Sequence, residues 1–196
     1  MSISASVLDA IEKAPRGVLD LAFLESLALC DADTLKTTLS RLNKAGRIIR
    51  LKRGLYSAKP LKDAFFVGQE MFGGYLGFTS ALYLHRIISE MPFSVSIVTT
   101  ETSAVKMIDA YEFRAVALHE KAVGFERLEN HIVSTRAKTL FDCVYLPRYS
   151  VEEKKLAEAF REARLSGDEW KEYDSYVRRF AKKIERFDAI KRAVRG

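Results

Sequence analysis

Between Thr34 and Lys59 the chain carries eight cations (Lys36, Arg41, Lys44, Arg47, Arg50, Lys52, Arg53 and Lys59) and no acid. Within that stretch the apolar residues change period. Leu35, Leu39 and Leu42 fall at spacings of four and three, which predicts a helix over about 33–45 with one inward face. Gly46 ends it at a left-handed position where a side chain would clash. The outward positions Thr34, Lys36, Thr37, Ser40, Arg41, Asn43 and Lys44 are all donors, acceptors or cations. An ordinary surface helix places Glu or Asp there to pair with its lysines. Beyond Gly46, Ile49, Leu51, Leu55 and Tyr56 suit two short strands, with Lys52-Arg53-Gly54 as the basic turn between them.

Two helices are predicted upstream. Ile3, Val7, Leu8 and Ile11 share one face, and Pro15-Arg16-Gly17 breaks that helix. A second fits 20–29, with Asp20 as its N-cap and Leu21, Leu24, Leu27 and Ala28 on one side. Cys30-Asp31-Ala32-Asp33 then connects to the third helix, its aspartates placed to accept the free amides. The sum is a winged helix-turn-helix over residues 1–59. A helix about 10–12 Å across enters the major groove of a duplex while the hairpin meets neighbouring phosphates. Thr34, Lys36, Thr37, Ser40 and Arg41 are the candidates for base edges, with Arg41 suited to bidentate contact with guanine. Lys44 at the end of the same helix, with Arg47, Arg50, Lys52 and Arg53 of the wing and its flank, suits phosphate. Charge alone leaves open a solvated basic face.

The remaining composition bounds the class. The 196 residues are 48% hydrophobic and 30% charged with only 4 Pro, which fits a folded chain and excludes a low-complexity one. The net charge of +6 is uneven: +4 over residues 1–60, −1 over 61–150 and +3 over 151–196. No apolar run approaches the roughly 20 residues that span a bilayer, and no charged region precedes an apolar stretch at the amino terminus. Cys30 and Cys143 have no metal or redox spacing, so free thiols in a reducing, cytoplasmic setting are expected.

Residues 60–150 predict a small α+β module. Helices fit 63–72, 78–87 (with Thr79 or Ser80 as its cap) and 136–146, with a loop over 72–77. Alternation predicts strands over 93–100, 111–119 and 131–133. The chemistry offered is thin. His85, His119 and His131 lack metal-ligand spacing, and Gly73-Gly74-Tyr75-Leu76-Gly77 is not followed by the Gly-Lys-Ser/Thr of a phosphate loop. Ser80, His85 and Asp142 can be drawn as a triad, as can three residues of almost any chain this long. No catalysis, metal or cofactor is expected.

Residues 151–196 predict two helices, 151–165 and 168–194, broken at Ser166-Gly167. In the second, Trp170, Tyr173, Val177, Phe180, Ile184 and Phe187 form a narrow stripe. Arg178, Arg179, Lys182, Lys183, Arg186, Lys191, Arg192 and Arg195 lie elsewhere on it. The stripe can pack on the chain's own middle unit or form a homodimer contact. Membrane-surface binding is disfavoured by Glu172, Asp174, Glu185 and Asp188.

Several segments carry a family resemblance. They are 42–48 (Leu-Asn-Lys-Ala-Gly-Arg-Ile) leading to Arg53-Gly54-Leu55-Tyr56, then 74–85 (Gly-Tyr-Leu-Gly-Phe-Thr-Ser-Ala-Leu-Tyr-Leu-His), Ile97-Val98-Thr99 and 137–142 (Ala-Lys-Thr-Leu-Phe-Asp). In this order they resemble the AbiEi-type antitoxins of type IV toxin–antitoxin systems, associated with abortive phage infection, over most of residues 1–150. The resemblance implies a winged helix that binds inverted repeats of double-stranded DNA at its own promoter and represses the operon. It implies a second domain that counteracts a nucleotidyltransferase-like toxin without a stable complex. Arg136 stands where the family usually has Glu, and residues 151–196 match no family segment. The alternatives are a winged-helix regulator whose second domain senses a ligand, and an enzyme with an appended DNA-binding domain.

Overall fold

The computed structural model describes residues 2–195; the side chain of Arg195 lies outside the described residues. Two compact units are present, Met1–Met71 and Phe72–Gly196. The chain is α+β throughout, and no helix among the described residues is long and apolar enough to cross a membrane.

The first unit contains α1 (Ile3–Lys13), β1 (Val18–Asp20), α2 (Leu21–Ser26), α3 (Ala32–Lys44), β2 (Ile48–Lys52), β3 (Leu55–Ala58) and α4 (Ala64–Phe72). Its strands form an antiparallel sheet in the order β1-β3-β2. β1 was not foreseen, because three residues are too few to show alternation. α2 is shorter than its apolar pattern: Ala28 takes a φ of +49°, which turns the chain away and leaves Leu27 exposed. Val7, Ile11, Leu24, Leu35, Leu39, Ile48, Tyr56 and Ala58 form the core, so the face predicted from the leucine spacing is the buried one. Each Val, Leu or Ile among them contributes about 1.5–3 kcal/mol through loss of water contact.

Residues 60–71 are tied to this unit. Lys62 Nζ donates to the Glu12 carbonyl and, at 3.4 Å, to that of Ala14, which also accepts the Gly17 amide at 2.9 Å, so the lysine reaches the carbonyl end of α1. The compact unit extends to Met71, whereas the sequence places the boundary between residues 59 and 60.

The second unit contains β4 (Tyr75–Leu76), α5 (Phe78–Leu84), β5 (Ser94–Thr99), β6 (Ala104–Ile108), β7 (Tyr111–Ala117), β8 (Phe125–Leu128), β9 (His131–Ser134), α6 (Arg136–Tyr145), α7 (Glu153–Ala163), α8 (Gly167–Phe180) and α9 (Glu185–Arg195). The sheet is mixed, in the order β6-β7-β5-β4-β9-β8. β4 lies where a loop was expected, pairing Tyr75 with Val98. The approach beside it is so close that a Cβ on Gly74 would sit 2.1 Å from the Val98 carbonyl oxygen, which explains a glycine there. Neither Thr79 nor Ser80 caps α5, whose N-cap is Gly77. Ser80 is buried instead, and its Oγ accepts the Ser96 amide at 2.9 Å, fastening α5 to β5.

The tail belongs to this unit. Phe141 of α6 lies 5.8 Å from Tyr176, 6.2 Å from Phe180 and 5.3 Å from Phe187, centroid to centroid. The stripe is therefore packed on the chain's own second unit, the first of its two expected destinations. The single helix over 168–194 is not formed. α8 ends where Ala181 turns extended, and Ile184, placed on the stripe by spacing, is 51% exposed. Seven residues of continuous helix would separate Phe180 from Phe187 by about 10 Å along the axis. The break lets both rings reach Phe141. Arg136 also joins the tail, donating through Nε to Glu169 at 2.8 Å and through a terminal nitrogen to the Ala163 carbonyl at 3.1 Å.

Candidate nucleic-acid interface

The third helix is fixed at both ends by its own sequence. Asp31 caps it, accepting the amides of Asp33 at 3.1 Å and Thr34 at 2.9 Å. The Thr34 side chain and these amides hold the Asp31 carboxyl below its ordinary range. At the other end Gly46, at φ +67°, donates to the Asn43 carbonyl, while the Arg47 amide reaches Leu42. That pair of bonds satisfies two of the last helical carbonyls and turns the chain into β2.

Lys36, Thr37, Ser40, Arg41 and Lys44 are exposed along one side of α3, as expected. Thr34 is half-buried and engaged with the cap, which separates it from the other five. Asn43 also has a structural task that spacing did not reveal: its Oδ1 accepts the Arg50 amide at 2.8 Å and locks β2 against the helix. Thr38, adjacent to the polar face in sequence, is buried.

Arg47, Arg50, Lys52 and Arg53 are exposed along β2 and the turn. The hairpin is short. Arg53 and Gly54 alone separate its strands, Gly54 takes a φ of +76°, and its carbonyl accepts the Leu21 amide at 2.7 Å. The tip is thus held against the start of α2. Lys52 differs from its neighbours because its Nζ donates to the Glu70 carbonyl at 2.6 Å and the Met71 carbonyl at 3.4 Å. It meets the negative end of α4, where a cation is favoured. Lys52→Ala is expected to lower the melting stability of the first unit by about 1 kcal/mol, from loss of these bonds. Arg53→Ala should leave stability within about 0.5 kcal/mol. Chemical denaturation followed by circular dichroism compares the two; equal losses would contradict the assigned tether.

The three residues that could be drawn as a triad each have a separate partner. Ser80 Oγ accepts the Ser96 amide, His85 Nε2 lies 2.7 Å from the Ser134 carbonyl, and Asp142 faces Lys138. Burial holds the His85 imidazole below its ordinary range. Among the described residues no group of three His, Cys, Asp or Glu is placed to hold a metal, and both cysteines are free. A cleft of about 610 Å³ is lined by Tyr83, Arg86, Ile88, Glu129, His131 and Glu162, among others. Apart from the cleft, the unit holds two charged side chains in its interior among the described residues, alongside buried hydroxyls such as those of Ser80, Ser134 and Thr139. Lys138 and Asp142, one helical turn apart in α6, are both fully buried, and Nζ lies 2.6 Å from each carboxylate oxygen. The ammonium also lies 5.7 Å from the Phe141 ring centre and 5.8 Å from that of Tyr176. Nothing in the spacing of 137–142 marked these two charges as interior.

No protein-family model matches the chain and no curated protein matches it, so the character of the interface rests on its own residues.

Proposed function

We propose that the first unit is a winged helix-turn-helix that binds double-stranded DNA through the exposed side of α3 and the β2–β3 hairpin. The supporting observation is one exposed, cation-rich surface: Lys36, Thr37, Ser40, Arg41 and Lys44 on the helix, continued by Arg47, Arg50 and Arg53. The element order α1-β1-α2-α3-β2-β3, with the sheet order β1-β3-β2, suits that reading because it sets the hairpin beside the third helix. The chain then acts in the cytoplasm as a non-catalytic transcriptional repressor. On the resemblance of 74–85, 97–99 and 137–142, it is an AbiEi-type antitoxin that binds inverted repeats at its promoter and counteracts a nucleotidyltransferase-like toxin. A ligand-sensing second unit is the alternative that the 610 Å³ cleft favours. It differs in requiring duplex affinity to change with a small effector.

Titration of the full chain with its own promoter fragment at low ionic strength tests the reading, and the absence of any complex overturns it. Arg41→Ala should weaken binding by about 1–3 kcal/mol and relax selection at one operator position, because a bidentate contact to guanine is lost. Uniform weakening across unrelated duplexes would remove Arg41 from base recognition.

A further inference from the structure

The exposed side of α3 does not begin with a cation. At 3.6 residues per turn, Asp33, Thr37, Ser40 and Lys44 lie within roughly 40° of one line along the helix. Lys36 and Arg41 flank that line. All six are exposed. The amino-terminal amides themselves are occupied, since Asp31 accepts those of Asp33 and Thr34. The Asp33 side chain takes no part in the cap, and among the described residues no hydrogen bond or ion pair reaches its carboxylate. It is the sole acid in the row.

A carboxylate on a duplex-binding face is repelled by phosphate and by the carbonyl and ring-nitrogen acceptors of guanine. Cytosine presents an N4 amine to the major groove, and a carboxylate accepts from it. Adenine offers an amine too, but its adjacent N7 acceptor opposes a carboxylate and suits an amide instead. We infer that Asp33 is a specificity-determining residue that selects cytosine at one position of each half-site by accepting its N4 amine. This rests on the duplex-binding reading above. The acid then discriminates as much by repulsion from wrong bases as by attraction to the right one.

Asp33→Asn keeps the shape and exchanges the acceptor for an amide, which pairs with adenine N6 and N7. Wild-type protein and Asp33→Asn are each used to select duplexes from a randomised pool at fixed salt. The expected result is one half-site position that changes from cytosine to adenine, with the others unchanged. On the wild-type site the variant loses roughly 5- to 150-fold in affinity. A structural role at the helix end would lower stability without altering base choice. Identical selected sequences from both proteins overturn the assignment while leaving duplex binding intact. Failure of the wild-type protein to retain any duplex overturns both.

Discussion

Asp142→Leu or Lys138→Met alone is expected to destabilise the second unit by about 3–5 kcal/mol, whereas the two together cost almost nothing or stabilise it. Either single change strands the remaining ionisable group among Phe141, Tyr176 and the rest of the α6 core, with no water to replace its partner. The double change leaves apolar side chains of similar volume. Ionisation points the same way. Burial pushes Asp142 up to about 6 even with Lys138 beside it, and burial likewise holds Lys138 below the ordinary amine range. In the wild type, between about pH 4 and 6, folded Asp142 retains a proton that its unfolded counterpart, near 3.8, has released. This group's contribution to stability therefore falls as pH rises through that window. The double variant should lack that slope. Trp170 is the one tryptophan of the chain, lies in α8, and stacks on Phe160 at 6.1 Å. Its fluorescence during urea unfolding at pH 4, 5, 6 and 7 follows the second unit selectively. Additive losses in the double variant, or equal pH slopes, would refute a coupled pair.

That pair also marks where sequence reasoning stops. A period of 3.6 identified α1, α3 and α6 because their apolar residues face one side; Val7, Ile11, Leu35, Leu39, Leu140, Phe141 and Val144 are buried, while Leu8 and Leu42 are half-buried and Ile3, at the first turn, is exposed. The period fails for α6 in a different sense. Every residue from Ala137 to Val144 is buried, so its polar residues are not the outward ones. The missing strands have physical reasons of their own. β4 has two residues, and β6 is an edge strand with Val105 and Met107 exposed, so neither gives an inside–outside alternation. The stripe from Trp170 to Phe187 was legible as apolar but not as interrupted, because the turn at Ala181 preserves the spacing of Phe180 and Phe187 while excluding Ile184. Among the interface residues, exposure of the cations was legible. The diversion of Lys52 to Glu70 and of Asn43 to Arg50 was not, since both contacts depend on elements brought close only by folding.

Lys52 decides which cations belong in the second experiment. Lys44, Arg47, Arg50 and Arg53 are exposed and free of a tether of that kind, and the bond from Arg50 to Asn43 uses only its backbone amide. Their replacement by alanine therefore removes four positive charges from the proposed interface with little disturbance of the fold. Loss of Lys44 from the last turn of α3 should cost about 0.3–1 kcal/mol of stability. Each phosphate neutralised on a duplex releases close to one counterion, so the slope of log affinity against log salt should fall by about 3.6 in the quadruple variant. Extrapolated from 1 M to 0.1 M salt, that slope predicts a loss of roughly 10³–10⁴-fold at the lower concentration, with the two proteins converging at the higher. Arg41→Ala behaves differently, since a base contact leaves a gap that persists across salt concentrations on the preferred sequence. Fluorescence anisotropy with a labelled promoter duplex at five salt concentrations separates the two patterns. Parallel lines for wild type and quadruple variant would mean that these four cations face solvent rather than phosphate, and the proposed docking of the hairpin would have to be abandoned.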